Sequence, residues 1–121
     1  MTKGLGELKD RRKFIRVSIY AITRYFCLLR GREVEVQTRI SDISEGGAQI
    51  VNFMEGIPTG TPVKMSFVTP GDQGLLVSVE GIARHTGALD QDLFRTGIEF
   101  RNIKEKDLLT IRRYIASCPK K

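Results

Sequence analysis

The sequence predicts a mainly β protein, a six-stranded antiparallel barrel followed by one C-terminal α-helix, and three observations carry that expectation. Apolar and polar residues alternate with a period of two through most of residues 17 to 100, as strands with one buried and one wet face require. Clusters bearing Gly and Pro interrupt the alternation at short intervals. After Asn102 the apolar period lengthens to that of a helix.

The first strand is expected from Val17 to Leu29, and the Gly of "RGR" (30 to 32) marks the reversal into the second. In "EVEVQTRI", Val34, Val36 and Ile40 fall on one face while Glu33, Glu35, Gln37 and Arg39 fall on the other. No helical spacing gives that division. Four further strands are expected at 48 to 53, 62 to 68, 75 to 84 and 94 to 100, separated by "EGIPTG", "TPGDQG" and the polar stretch "GALDQDL". The last of these reads as a mobile connection. Six short strands of this kind lose their exposed edges by closing into a barrel. In "KEKDLLTIRRYIASC", Leu108, Ile111 and Ile115 form a helical stripe, broadened by Leu109 and Tyr114, with Arg112 and Arg113 toward the C-terminal end of the helix dipole. Pro119 ends it.

A chain of 121 residues, 40% hydrophobic, suits one domain. Its expected organisation is a basic N-terminal arm over 1–16, the barrel and helix over 17–118, and a solvated tail over 119–121. The N-terminus lacks a signal-peptide core, and the most apolar stretch is broken by Arg24, so a cytoplasmic protein without membrane insertion is expected. Cys27 and Cys118 have no CxxC partner and read as two free thiols. His85 is the only histidine, which excludes a multi-histidine metal site, and no nucleophile elbow accompanies it. It reads as a surface imidazole, and the protein as a non-enzyme without cofactor or metal.

The formal charge of +6 favours an anionic partner. Two segments could carry that chemistry. "DRRKFIRV" places Arg11, Arg12, Lys13 and Arg16 around Phe14 and Ile15, which suits either a solvated chain end or an anion site. "DISEGG" contains Asp42, Ser44, Gly46 and Gly47, which suit either a simple turn or a ligand contact. In the second reading Asp42 and Ser44 point to one side of an extended segment, and the glycines admit a ligand close to the backbone. A carboxylate matches the N1–H and N2 amino donors of guanine, whereas an arginine fork matches guanine O6 and N7 or a phosphate.

In order, "RKFIR" (Arg12, Arg16) and "DISEGG" (Asp42, Ser44, Gly47) resemble the RxxxR and (D/N)xSxxG segments of the PilZ domain family, and the strand order, the closing "TGIEF" and the C-terminal helix fit the same family. The resemblance implies a PilZ-type barrel that binds cyclic di-GMP and relays the signal to an unidentified downstream protein. It assigns Arg12 and Arg16 to phosphate and guanine, Asp42 and Ser44 to a guanine edge, and Gly47, with Gly46 beside it, to close backbone approach. An arginine at the place of Arg11 implies a stacked pair of cyclic di-GMP molecules. The alternative is a PilZ-type adapter that acts through protein contacts with nucleotide binding weak or absent. Single-stranded nucleic acid is not favoured: tryptophan is absent, and Phe26, Phe53, Phe67 and Phe100 fit a core as readily as a stacking surface.

Overall fold

A computed structural model describes residues 14–53, 56–71 and 74–118. Its strands are β1 (Val17–Leu29), β2 (Arg32–Ile43), β3 (Gly47–Phe53), β4 (Pro62–Val68), β5 (Leu76–Asp90) and β6 (Leu93–Arg101), followed by helix α1 (Glu105–Ser117). They pair in the order β1-β2-β3-β6-β5-β4, and β4 returns to β1 to close the barrel. All six pairings are antiparallel.

Alternation is cleanest in β1, where Ile19, Ala21, Tyr25 and Cys27 face inward with Thr23, while Tyr20, Ile22, Phe26 and Leu28 face outward. Arg30 (φ 53°) and Gly31 (φ 76°) form the turn into β2. Two successive positive φ values give the twist that a two-residue hairpin needs. Inside the barrel, Ile40, Ile50, Val63, Val77 and Ala83 are sealed from solvent. A polar chain crosses this interior: Asn52 Nδ2 donates to Tyr25 Oη (2.9 Å) and Thr96 Oγ1 donates to Asn52 Oδ1 (2.7 Å). Pairing these groups removes the cost of burying them unsatisfied.

Ile57, 1% exposed, plugs the barrel beside Thr86 and Thr96, with Thr86 Oγ1 donating to Ile57 O at 2.7 Å. Helix α1 buries Ile111 and lies near the β2–β3 turn, where Arg112 Nε donates to Glu45 Oε1 at 2.9 Å. The expected helix dipole contact is therefore replaced, because no basic residue stands in the last turn of α1 and Arg112 is used for this ion pair. Asp107, which the apolar stripe does not announce, is buried and accepts from Ser78 N at 3.3 Å.

The stretch expected as a mobile connection is strand instead. β5 runs on to Asp90, pairing Gly87 with Arg95 and Ala88 with Phe94, which leaves Gln91 and Asp92 as the reversal. Both faces of this extension are largely wet, and the ladder is held by backbone bonds that polar side chains do not disturb. Of the four phenylalanines weighed as a stacking surface, Phe67 and Phe100 are core, whereas Phe26 and Phe53 are exposed.

Candidate functional site

The described end of the first segment, from Phe14 to Val17, meets the second at the start of the barrel. β1 and β2 pair Ser18 with Asp42, so the residues just before β1 lie over the end of β2. There Arg16 Nη1 stands 3.4 Å from Asp42 Oδ1. The contact is close enough for attraction between charges but is not aligned as a hydrogen bond, and Asp42 Oδ1 is buried without a hydrogen-bond partner among the described residues. Arg11 and Arg12, with the arm expected over 1–16 up to residue 13, lie outside the described residues.

A bulge sets the direction of Asp42. β2 pairs Ile40 with Ile50 but Asp42 with Gln49, so two steps along β2 match one along β3. Strict alternation from Thr38 and Ile40 would turn Asp42 into the core. The extra residue, Ser41, instead hands the inward position to Ile43, 1% exposed, and swings Asp42 to the outer face. Burial there raises the Asp42 pKa above its ordinary value, opposed by the nearby charges of Arg16 and then Arg95.

Ser44 is buried, and its hydroxyl serves the turn: Gly46 N donates to Ser44 Oγ at 3.1 Å, and Ser44 N donates to Gly47 O at 2.8 Å. Gly46 lies under the Phe14 ring, which a Cβ would meet at 2.9 Å. Gly47 lies against β6, and a Cβ there would come within 2.3 Å of Ile98 O. The structure thus gathers Arg16, Asp42 and Gly46 at one place, and gives Ser44 and Gly47 to the backbone that supports it.

Sequence reasoning missed four neighbours. The register places Gln49 beside Asp42, Gly97 beside Gln49, and His85 beside Gly97. Gln49 Oε1 is also buried without a hydrogen-bond partner among the described residues. The His85 ring covers Gly97, since a Cβ on Gly97 would lie 2.3 Å from His85 Cε1. Arg95, two residues before Gly97, contributes to the field at Asp42. Alternation could have marked Gln49 and Arg95 as outward-facing, but only the strand register makes them neighbours.

The described residues form a closed antiparallel barrel with a polar, cation-flanked row on its outer wall, and no cluster of metal-ligating side chains occurs among them. The sequence model of the PilZ domain matches residues 10–117, and the chain belongs to the PilZ domain family. It is 27% identical over 116 residues to the flagellar brake protein YcgR of Azoarcus sp. (strain BH72), an alignment covering 88% of this chain and 45% of that protein. The chain therefore spans about half the length of this relative. Among solved structures, the Bacillus subtilis inhibitor of motility MotI/DgrA has a TM-score of 0.70 at 16% identity, over 89% of this chain and 53% of that one. The PilZ domain with c-di-GMP of YcgR from Escherichia coli has a TM-score of 0.66 at 16% identity, over 88% and 90%. At these identities the structural likeness concerns the fold. No described helix is long and apolar enough to cross a membrane.

Proposed function

We propose that this chain is a receptor for cyclic di-GMP, held between Arg12 and Arg16 on one side and Asp42 on the other, and that it relays the bound state to a protein partner. The observation that carries the reading is the 3.4 Å approach of Arg16 Nη1 to Asp42 Oδ1. It brings a guanidinium suited to phosphate or to guanine O6 and N7 against a carboxylate suited to guanine N1–H and N2–H. Arg11 extends the cationic side and would favour a second, stacked nucleotide. Ser44 and Gly47 support the site by holding its turn. Family membership and the cyclic di-GMP named with a structural neighbour are consistent with this reading.

Calorimetric titration tests it. Cyclic di-GMP should bind, with GMP and cyclic di-AMP much weaker, because adenine presents an acceptor at N1 where Asp42 requires a donor. Equal binding of cyclic di-AMP would overturn the guanine assignment. A second reading, a protein-interaction adapter, is favoured by the outward apolar side chains of β1, where Tyr20, Ile22 and Leu28 are 72%, 52% and 62% exposed. Absence of any cyclic di-GMP binding would leave that reading standing alone.

A further inference from the structure

We infer that Gln49 is a second guanine-reading residue, accepting the N2–H that Asp42 cannot reach; this rests on the cyclic di-GMP reading and names a determinant of its base specificity. Asp42 and Gln49 are directly opposed across β2 and β3, a placement that puts their Cβ atoms roughly 5 Å apart on one face. Asp42 Oδ1 and Gln49 Oε1 are the buried side-chain oxygens without a hydrogen-bond partner among the described residues. Two adjacent acceptors, shielded from solvent and lacking donors, are costly unless a ligand supplies N–H groups.

Guanine offers such a set. Its N1–H and two N2–H donors lie along one edge, and a carboxylate aligned with N1–H and one N2–H leaves the other N2–H pointing past it. Gln49 stands on that flank. Beyond it, the His85 ring lies over Gly97, so an imidazole face borders the row beside the amide. Arg95 and Arg16 add positive charge around the pair, which suits a ligand whose phosphates accompany the base.

Cyclic di-IMP separates this role from others, because hypoxanthine keeps N1–H and lacks the 2-amino group. Wild-type protein should prefer cyclic di-GMP over cyclic di-IMP, and Gln49→Leu should weaken cyclic di-GMP by about fivefold to tenfold, the effect of one hydrogen bond, while changing cyclic di-IMP little. Gln49→Glu, which keeps an acceptor oxygen, should retain the preference for cyclic di-GMP whatever its overall affinity. Thermal unfolding of each variant verifies the fold. If Gln49→Leu weakens both nucleotides equally, Gln49 only orients Asp42, and the inference is wrong. If wild type binds cyclic di-GMP and Gln49→Leu binds it equally well, Gln49 is outside the site. Failure of wild type to bind cyclic di-GMP would instead remove the receptor reading itself.

Discussion

Arg16 Nη1 and Asp42 Oδ1 stand 3.4 Å apart, joining the segment before β1 to the end of β2 through a half-exposed guanidinium and a largely buried carboxylate. The pair balances attraction against desolvation. Burial raises the Asp42 pKa, and Arg16 only partly offsets that cost. A ligand that donates hydrogen bonds to Asp42 while drawing Arg16 onto a phosphate would satisfy both partners better than they satisfy each other.

Replacing either partner should therefore cost binding. Arg16→Ala and Asp42→Ala are each expected to weaken cyclic di-GMP by about 1.5 to 3 kcal/mol, the usual size of a lost hydrogen bond to a charged group. Calorimetric titration measures the loss. Wild-type affinity in either folded variant would place the nucleotide elsewhere.

The raised pKa of Asp42 gives stability a definite pH dependence. At low pH both folded and unfolded chains carry the proton, and the group contributes nothing. As pH rises between the ordinary carboxylate value and the raised folded value, the unfolded chain ionises first and stability falls. Above that window the penalty is constant. Urea unfolding from about pH 3 to about pH 7 should show stability falling across this window in wild type relative to Asp42→Asn, a difference in which the opposite contribution of Glu99 cancels. Cyclic di-GMP affinity should fall in the opposite direction, on acidification, because a protonated carboxyl cannot accept from both guanine donors.

The two glycines of the turn should respond differently to alanine. In Gly47→Ala the new Cβ meets a backbone oxygen, Ile98 O at 2.3 Å, which cannot rotate away. A loss of about 1 to 3 kcal/mol of stability is expected, as for other overpacked sites. In Gly46→Ala the Cβ meets the ring of Phe14, a side chain that can turn aside. Stability should hold while affinity falls, because Phe14 lies two residues from Arg16. Paired unfolding and binding curves decide both cases, and a destabilised Gly46→Ala with unchanged affinity would contradict the second.

Arg11 should govern stoichiometry. A second nucleotide adds two phosphate charges and an exposed purine face, both of which a planar guanidinium engages. Titration well above Kd should give about two nucleotides per chain for wild type and about one for Arg11→Leu, because Arg11 is the guanidinium beyond the Arg12 and Arg16 pair that holds the first. Unchanged stoichiometry would remove Arg11 from the site.

The barrel was legible because side-chain alternation is a local property. The run from Val34 to Ile40 announces its buried face without reference to any other strand, and Arg30-Gly31 announces its turn. Longer-range matters were hidden. The last residues of β5, from Arg84 to Leu89, have no buried face to announce them, since their pairing with β6 rests on backbone bonds. The bulge at Ser41 depends on a count across two strands, so spacing alone could name Asp42 but could not show that Ile43 takes its place in the core. For the same reason the sequence marks Gln49 only as part of a strand. The roles of Ser44 and Gly47 in shaping the turn depend on contacts that become visible only once β3 lies against β6.

The tight contact between Gly47 and Ile98 bears on how such chains are told apart. The segment from Asp42 to Gly47 carries two messages in one short string: Ser44 and Gly47 spell out how the polypeptide bends, while Asp42 is the residue we propose to meet the nucleotide. If the proposed site is correct, a descendant that changed Asp42 or Gln49 would stop responding to nucleotide and still need Gly47 to bring β3 against β6. Searches that score the serine and glycine will therefore recognise the barrel in receptive and deaf chains alike. Under the proposed reading, sorting one from the other requires the letters that face outward, and one of those, Gln49, lies two positions beyond the end of the motif.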